Sequence, residues 1–256
     1  MSSITIWRGE EQLARREAPG EVALFYPGVY RDGDRIEFTC DSRRAVVQVD
    51  QAVQPARVFL PGSGFTYRPP LTGDGLAVYA PGAFQGEGHV LAIRPDNSNE
   101  YRNLAENPAD QRGSVTAYPH ATANVETRNE SVFAARNVLD GVHVADGHGQ
   151  WPYGSWGIGA RTDAEITLDF GREVMVDAME LYLRADFPHD AYWIEATVVL
   201  SDGASYTFPL QGVDGPQRIP LDAHHVRWMK LTRLIKCDNP SAFPALRQWV
   251  VYGKDC

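Results

Sequence analysis

The sequence is short of the features that mark several common classes of protein. Its 256 residues include three cysteines, Cys40, Cys237 and Cys256, and their spacing matches no metal motif. A sparse and odd count predicts reduced thiols in a cytoplasmic protein rather than a disulfide framework. No run approaches the ~18 apolar residues of a membrane helix, and no apolar segment follows the first residue. We therefore expect neither a membrane span nor a secretory leader.

Basic clusters and familiar catalytic motifs are also lacking. The formal net charge of −9 argues against a nucleic-acid partner, because phosphate binding needs a basic face. The patterns G-x-S-x-G, the phosphate-binding loop and H-E-x-x-H do not occur. His143, His148 and His189 have no spacing typical of metal ligands, so a metalloenzyme is only a weak alternative. These absences leave enzyme activity open and favour a binding protein.

What the sequence has instead is a succession of short strand patterns. Runs rich in Val, Ile, Phe and Tyr recur every 8–12 residues or so, with Gly, Pro and Asp between them. In the first part these runs lie at 4–7, 22–26, 35–39, 45–49, 57–60, 76–79 and 89–93. In the second part they lie at 164–170, 178–184, 193–200, 206–210, 226–234 and 249–252, with a hairpin signal at 201–203. The best helical candidate, 10–17, is about one turn or a loop.

A polar stretch at 94–114, rich in Pro, Asn and Asp, interrupts the strand pattern. We place a domain boundary there, which gives an N-terminal domain at 1–97 and a C-terminal domain at 98–256. No internal repeat relates the two parts. The prediction is an all-β protein of two β-sandwich domains, the first of which matches no family that its motifs identify.

Six short pieces of the second part occur in the order found in discoidin, or coagulation-factor type C, domains. They are NLA with VTA at 103–105 and 115–117, ARNVLDG at 135–141, ITLDFG at 166–171, SDG at 201–203, VRWMKLT at 226–232 and WVVYG at 249–253. Together they resemble that family over residues ~103–253. The resemblance implies a galactose-binding-like jelly roll whose loops at one end bind glycans, and in some members phospholipids or proteins. A fold alone does not fix a ligand.

The resemblance also implies a structural Ca²⁺ beside the Asp-Gly motif. Its ligands would come from Asn137, Asp140 and Val142, with Gln248 at the position where the family has a glutamate. Ala145 replaces the usual hydroxyl residue, so the sequence departs from the pattern twice. Because Ca²⁺ prefers many oxygen ligands, losing a carboxylate weakens the site. A plain Asp-Gly turn is the alternative.

The segment at 137–157, NVLDGVHVADGHGQWPYGSWG, is the richest in chemistry. It is too glycine-rich for regular structure, and loops of this kind hold binding residues. Aromatic faces beside polar groups suit a sugar ring. We expect His148, Trp151 and Tyr153 to contact a ligand, with the two aromatic side chains exposed, and Trp156 to lie in the core.

A second loop follows a predicted strand and contains Arg184, Asp186 and His189. These groups can hold vicinal hydroxyls or a carboxylate. The alternative is an Arg184–Asp186 pair that only braces the loop. In a jelly roll we expect this loop near the aromatic one.

Two further candidates lie outside these loops. Arg128 and Glu130 belong to a polar run that lines the same end of the domain or forms a solvated turn. Arg247 follows Phe243 and Pro244 and is a candidate contact at the rim.

Taken together, these patterns predict a carbohydrate-binding protein. The alternative is a glycan-processing lyase or hydrolase that uses His148, His189, Arg184 and Asp186 as acid, base and charge clamp. A third hypothesis is a protein-interaction subunit, with a partner subunit or a homo-oligomer.

Overall fold

A computed structural model of the chain describes residues 1–114, 116–146, 151–186 and 190–256. The first part contains eight strands and one short helix. They are β1 Ser2–Arg8, β2 Glu11–Ala18, β3 Val22–Tyr26, β4 Asp34–Thr39, β5 Arg44–Gln48, β6 Ala56–Phe59, β7 Gly64–Tyr67, α1 Gly73–Leu76 and β8 His89–Pro95.

These strands form two antiparallel four-stranded sheets, in the orders β2-β1-β4-β7 and β3-β8-β5-β6. In β3 and β4 buried and half-buried or exposed residues alternate strictly, as expected for strands with one face toward a core. Ile4, Phe38 and Leu91 are among the fully buried side chains between the sheets. The predicted N-terminal sandwich is confirmed.

Three predictions for this domain are wrong. Residues 10–17, predicted as a helical turn or loop, are strand β2, and strand β7 was not predicted at all. β2 lies at the edge of its sheet, so its charged side chains remain in solvent. Its sequence therefore lacks the alternation of apolar and polar residues that predicts a strand. The segment 76–79 is not a strand but follows α1 as a turn. Its Val78 is buried against Phe133 and Tyr153 of the second domain, which explains the apolar pattern.

In its described ranges, the second part contains eight strands and three 3₁₀ helices. The strands are β9 Arg102–Asn103, β10 His120–Ala123, β11 Trp156–Gly157, β12 Ile166–Leu183, β13 Trp193–Leu200, β14 Ser205–Pro209, β15 Pro216–Lys236 and β16 Ala245–Asp255. The 3₁₀ helices are Thr127–Asn129, Ser131–Phe133 and Ala135–Leu139.

The eight strands form one antiparallel hydrogen-bonded sheet in the order β11-β16-β12-β15-β13-β14, with β10 on β12 and β9 on β16. The register between β12 and β15 shifts between Asp169 and Val174, where both strands bend around the core. Gly171 sits at this bend with φ 68°, and a Cβ there would lie 2.4 Å from the Tyr118 ring. The all-β fold and the jelly roll of the second domain are confirmed, and Trp156 is in its core, as predicted.

The two domains share an interface with several fixed contacts. Arg44 of β5 and Arg102 and Arg172 of the second domain all contact the buried Asp255 carboxylate. Burial opposes ionisation of Asp255, but Arg172 and the other two guanidinium groups outweigh it and lower the pKa of the carboxyl. The segment 104–117 contributes to both cores, since Leu104 packs in the second and Ala109 in the first. The boundary at 97/98 stays a prediction.

Within the ranges that the structure describes, no helix is long and apolar enough to cross a bilayer.

Candidate functional site

Four loops of the jelly roll meet at one end of the domain. One leaves β12 and enters β13, one leaves β15 and enters β16, and the other two carry the first 3₁₀ helices and the approach to β11. Between them lies a cleft of about 310 Å³, which we call the loop-end cleft. Its lining comprises Thr127, Arg128, Phe133, Tyr153, Gly157, Ile158, Ala191, Ser241, Phe243, Pro244 and Ala245.

The cleft combines exposed apolar surface with a polar rim. Phe243 keeps 59% of its surface exposed, although a large aromatic side chain is usually buried. At the base, Gly157 has no room for a side chain, because a Cβ would lie 2.6 Å from the Thr127 hydroxyl. Thr127 Oγ1 in turn accepts a hydrogen bond of 2.8 Å from the Gly159 amide. The base is therefore fixed, while the Phe243 ring is free for a ligand.

Arg128 is the charged residue of this rim, and Glu130 holds its guanidinium in place. Arg128 donates two hydrogen bonds to the Glu130 carboxylate, at 2.6 and 2.7 Å, and its guanidinium lies 5.2 Å from the centre of the Phe133 ring. The hydrogen bonds with Glu130 raise the pKa of Arg128 above its ordinary value. Arg128 and Asn129 both have left-handed backbone, with φ 51° and 59°. Such strain in consecutive non-glycine residues concentrates at functional sites.

Arg184, Asp186 and Tyr153 come together beneath the cleft, as the adjacency of the two loops predicted. Arg184 is 1% exposed and donates two hydrogen bonds, of 2.7 and 2.8 Å, to Asp186. It donates a third, of 3.0 Å, to the Tyr153 carbonyl, and its guanidinium lies 4.1 Å from that ring's centre. Arg184 and Asp186 thus form the bracing pair that the sequence left open as an alternative. The predicted ligand contacts of these two residues stay predictions.

The predicted exposure of Tyr153 is wrong. Its side chain is 2% exposed and packs edge-on against Phe133, at 5.9 Å between ring centres. Burial raises the pKa of its hydroxyl. Arg184 covers a face of the ring, and Val78 of the first domain belongs to the same buried cluster, so Tyr153 lines the cleft from a buried position. The sequence pattern could not indicate a contact with another domain.

Trp151 and Arg247 lie apart from the loop-end cleft. Trp151 is 38% exposed, as predicted, but it lines a smaller cleft of about 120 Å³ beside Tyr79 and Asp140. Its amide donates a 2.7 Å hydrogen bond to Ala77 of the first domain. Arg247 is not a rim residue, because it is 3% exposed and pairs with Asp214 at 2.8 Å.

His148 and His189, both predicted ligand contacts, lie outside the described residues. Their proposed partner in a metal site, His143, packs edge-on against Tyr182 with 4.7 Å between ring centres. Burial lowers the pKa of His143.

The four residues predicted for calcium do come together, in a closed hydrogen-bonded network. Gln248 Nε2 lies 2.7 Å from the Asn137 carbonyl, 2.7 Å from Asp140 Oδ1 and 2.8 Å from the Arg247 carbonyl. Gln248 Oε1 accepts a 3.1 Å bond from the Gly141 amide, which fixes the orientation of the side-chain amide. The Val142 amide donates a 2.8 Å bond to Asp140 Oδ1.

This network does not fit Ca²⁺. Three oxygens converge as they would on a cation, but the group that they surround is an amide nitrogen, which donates hydrogen and cannot ligate a hard ion. The Val142 amide also donates to the Asp140 carboxylate, whereas the calcium prediction required the Val142 carbonyl oxygen as a ligand. Burial raises the pKa of Asp140 to about 6, and the Arg136 charge only partly opposes this. Gln248 therefore takes the place that a cation would need.

Sequence reasoning missed Phe243, the most exposed aromatic residue of the loop-end cleft. Its signal is present, since an aromatic residue followed by proline stands directly before the closing strand.

Comparison with known proteins gives similarity to solved structures only. No protein-family model matches the chain, and no curated protein matches it significantly. The chain is similar to chitosan-binding module 1 of a chitosanase/glucanase from Paenibacillus sp. IK-5, with 19% identity over 59% of this chain and 98% of that one, at a TM-score of 0.42.

Two further solved structures are similar over much the same share of this chain. One is a His 62 mutant of the lectin binding domain of Lectinolysin complexed with Lewis b, with 18% identity over 61% of this chain and 99% of that one, at a TM-score of 0.45. The other is the family 32 carbohydrate-binding module of C. perfringens NanJ in complex with galactose, with 13% identity over 52% of this chain and 91% of that one, at a TM-score of 0.39. At these identities and TM-scores the similarity assigns neither a family nor a ligand to this chain.

Proposed function

We propose that this chain is a carbohydrate-binding protein and that the loop-end cleft is its binding site. The observation that carries the proposal is the exposed Phe243 ring in a 310 Å³ cleft that also holds the Arg128 guanidinium and the Thr127 and Ser241 side chains. Small-ligand sites combine an apolar wall with a few placed polar groups. A pyranose has a C–H face for the ring and hydroxyls for the polar groups.

The charge in this cleft favours a neutral sugar. The Arg128 charge is paired with Glu130, and the Arg184 charge beneath the cleft is paired with Asp186. Paired ions still offer hydrogen bonds to hydroxyls, but they attract a net charge weakly. Among the predicted site residues, Arg128 lines the cleft with an exposed side chain, and its partner Glu130 is half-buried.

Binding is favoured over the alternative of a lyase or hydrolase. Among the described residues that line the cleft, none has a carboxylate or imidazole for general acid–base work. The bidentate pairing of Arg184 with Asp186 beneath the cleft serves the structure of the loop. The partner subunit or homo-oligomer and the cytoplasmic location stay predictions.

The test is isothermal titration with neutral galactose, glucose and N-acetylglucosamine oligosaccharides, using two matched variants. Phe243→Ala removes the ring in the cleft, and Phe25→Ala removes a ring that is 62% exposed on strand β3 of the other domain. We expect Phe243→Ala to weaken binding by at least about tenfold, or about 1.4 kcal/mol, and Phe25→Ala to leave it unchanged. The proposal is contradicted if no oligosaccharide of the panel binds, or if the Phe243→Ala variant binds as tightly as the wild type.

A further inference from the structure

A large cleft lies between the two domains and belongs to no site discussed so far. It has a volume of about 700 Å³, and its lining includes four arginines, Arg35, Arg68, Arg112 and Arg136, but no aspartate or glutamate. We call it the arginine cleft. The chain as a whole has a net charge of −9, so a concentration of positive charge on one surface is a local feature.

Arg136 gives this cleft a fixed and buried positive charge. Its side chain is 6% exposed and donates hydrogen bonds to the Asp110 carbonyl at 2.7 Å, the Pro108 carbonyl at 3.0 Å and Asn137 Oδ1 at 3.3 Å. All three acceptors are neutral. Within the described ranges no carboxylate forms an ion pair with Arg136, although Asp110 and Asp140 act on it through space. A buried guanidinium with neutral partners favours an anion nearby.

Arg68 is held in place through its backbone while its side chain stays exposed. The Gln111 side chain accepts a 3.1 Å hydrogen bond from the Arg68 amide and donates a 2.7 Å bond to the Arg68 carbonyl. In the part of the chain that the structure describes, no carboxylate pairs with the Arg68 guanidinium. The fold therefore fixes the position of this arginine and leaves its charge for a ligand.

The other two arginines have acidic partners, and those partners do not line the cleft. Arg112 contacts Glu126 and donates a 3.1 Å bond to the Asn129 carbonyl. Arg35 donates to Glu37 at 3.3 Å and stacks on the Trp7 ring. Both pairs orient their guanidinium groups, and a second nitrogen of each donates to a backbone carbonyl, that of Gly9 for Arg35 and that of Asn129 for Arg112. The remaining N–H groups are suited to an oxyanion.

The rest of the lining points to a carbohydrate carrying the negative charge. Hydroxyl and amide side chains alternate with the arginines, namely Thr66, Gln111, Ser114, Thr116 and Ser131. The Tyr79 ring also lines the cleft, where Arg136 covers it at 5.0 Å and the Tyr67 hydroxyl contacts its hydroxyl at 3.0 Å. A fixed ring, several hydroxyls and fork-shaped cations match a sugar chain with carboxylate or sulfate groups.

We propose that the arginine cleft binds an acidic oligosaccharide, and that it is a site separate from the loop-end cleft. A comparison with the arginines around Asp255, elsewhere in the domain interface, supports this proposal. At Asp255 three arginines of the same interface surround a carboxylate of the protein itself. In the arginine cleft the corresponding anion is not part of the lining, so the ligand provides it.

The experiment is a titration of the full chain with trigalacturonic acid, with neutral trigalactose and with inorganic sulfate. Arg68→Gln removes one exposed charge from the cleft, and Arg227→Gln removes one exposed charge from strand β15 as the matched control. We expect trigalacturonate to bind, to lose about tenfold in affinity in Arg68→Gln, and to be unchanged in Arg227→Gln. Because the attraction is ionic, binding also weakens as NaCl rises from about 50 to about 300 mM.

Three outcomes overturn the proposal. Equal affinity of the Phe243→Ala variant for the neutral and acidic trisaccharides shows that charge is not recognised. An Arg68→Gln variant that binds trigalacturonate like the wild type places the ligand elsewhere. Sulfate that binds as tightly as trigalacturonate shows an anion site without a sugar site. Phe243→Ala is expected to leave this titration unchanged, so a failure here is separate from a failure of the neutral-sugar site.

Discussion

The two clefts of this protein differ in how their charges are compensated. In the loop-end cleft each arginine meets a carboxylate of its own loop, Arg128 with Glu130 and Arg184 with Asp186. In the arginine cleft the described hydrogen bonds of the buried Arg136 go to neutral oxygens, and Asp110 and Asp140 act on its charge only from a distance. A compensated charge serves structure and hydrogen bonding, whereas an uncompensated one selects a ligand of the opposite sign. The same residue type thus has two uses within one chain.

The largest expected effect comes from breaking a compensated charge. Arg184→Met leaves Asp186 beneath the cleft without its bidentate partner, so we expect the free energy of unfolding to fall by about 3–5 kcal/mol. Arg68→Met, in the uncompensated cleft, is expected to change it by less than about 0.5 kcal/mol. Urea denaturation of both variants measures the difference, and equal losses would remove the distinction between the clefts.

A smaller effect is expected at Asp255, where the protein supplies the anion for its own arginines. The pKa of this carboxyl is lowered in the folded state, so its stabilisation is present above the unfolded pKa of about 3.9 and is lost as pH falls through the folded value. Asp255→Asn should cost about 3 kcal/mol at pH 7, with the gap from wild type closing below about pH 4. Denaturation at a series of pH values tests this; a gap that does not depend on pH contradicts it.

The smallest of the three effects concerns Asp140, whose partner is an amide rather than a cation. Gln248→Glu replaces the donor among the oxygens of Asn137 and Asp140 with a carboxylate. Calcium at about a hundred times its dissociation constant should then stabilise the variant by about 2.7 kcal/mol. Thermal unfolding with and without calcium measures the shift, for which the wild type is the control. A shift of equal size in the wild type would show that Gln248 does not exclude the ion.

Much of the fold could be predicted from local pattern. The run at 22–26 became strand β3 and the run at 193–200 became strand β13, with the predicted limits, because their apolar residues mark one buried face. β2 was not predicted because an edge strand forms by backbone pairing, and its charged side chains do not alternate with apolar ones. The predicted runs at 164–170 and 178–184 became the single bent strand β12, since the bend at Gly171 resembles a turn in sequence.

The site was harder to predict, because packing between distant segments decides it. Arg184 and Tyr153 meet as expected from the ends of a jelly roll, but their burial depends on Val78 of the other domain. Trp151 and Tyr153 are two positions apart and end on different clefts. No local pattern distinguishes them.

The sequence by itself determined the all-β class and most strands, because each depends on neighbouring residues. Only the tertiary structure decided where the two clefts lie, which oxygens surround Gln248 and which carboxylate the arginines of the domain interface share. Arg128 and Arg184 pair within their own loops, but Arg44 and Asp255 are far apart in the chain, and they meet only once both sandwiches have packed together.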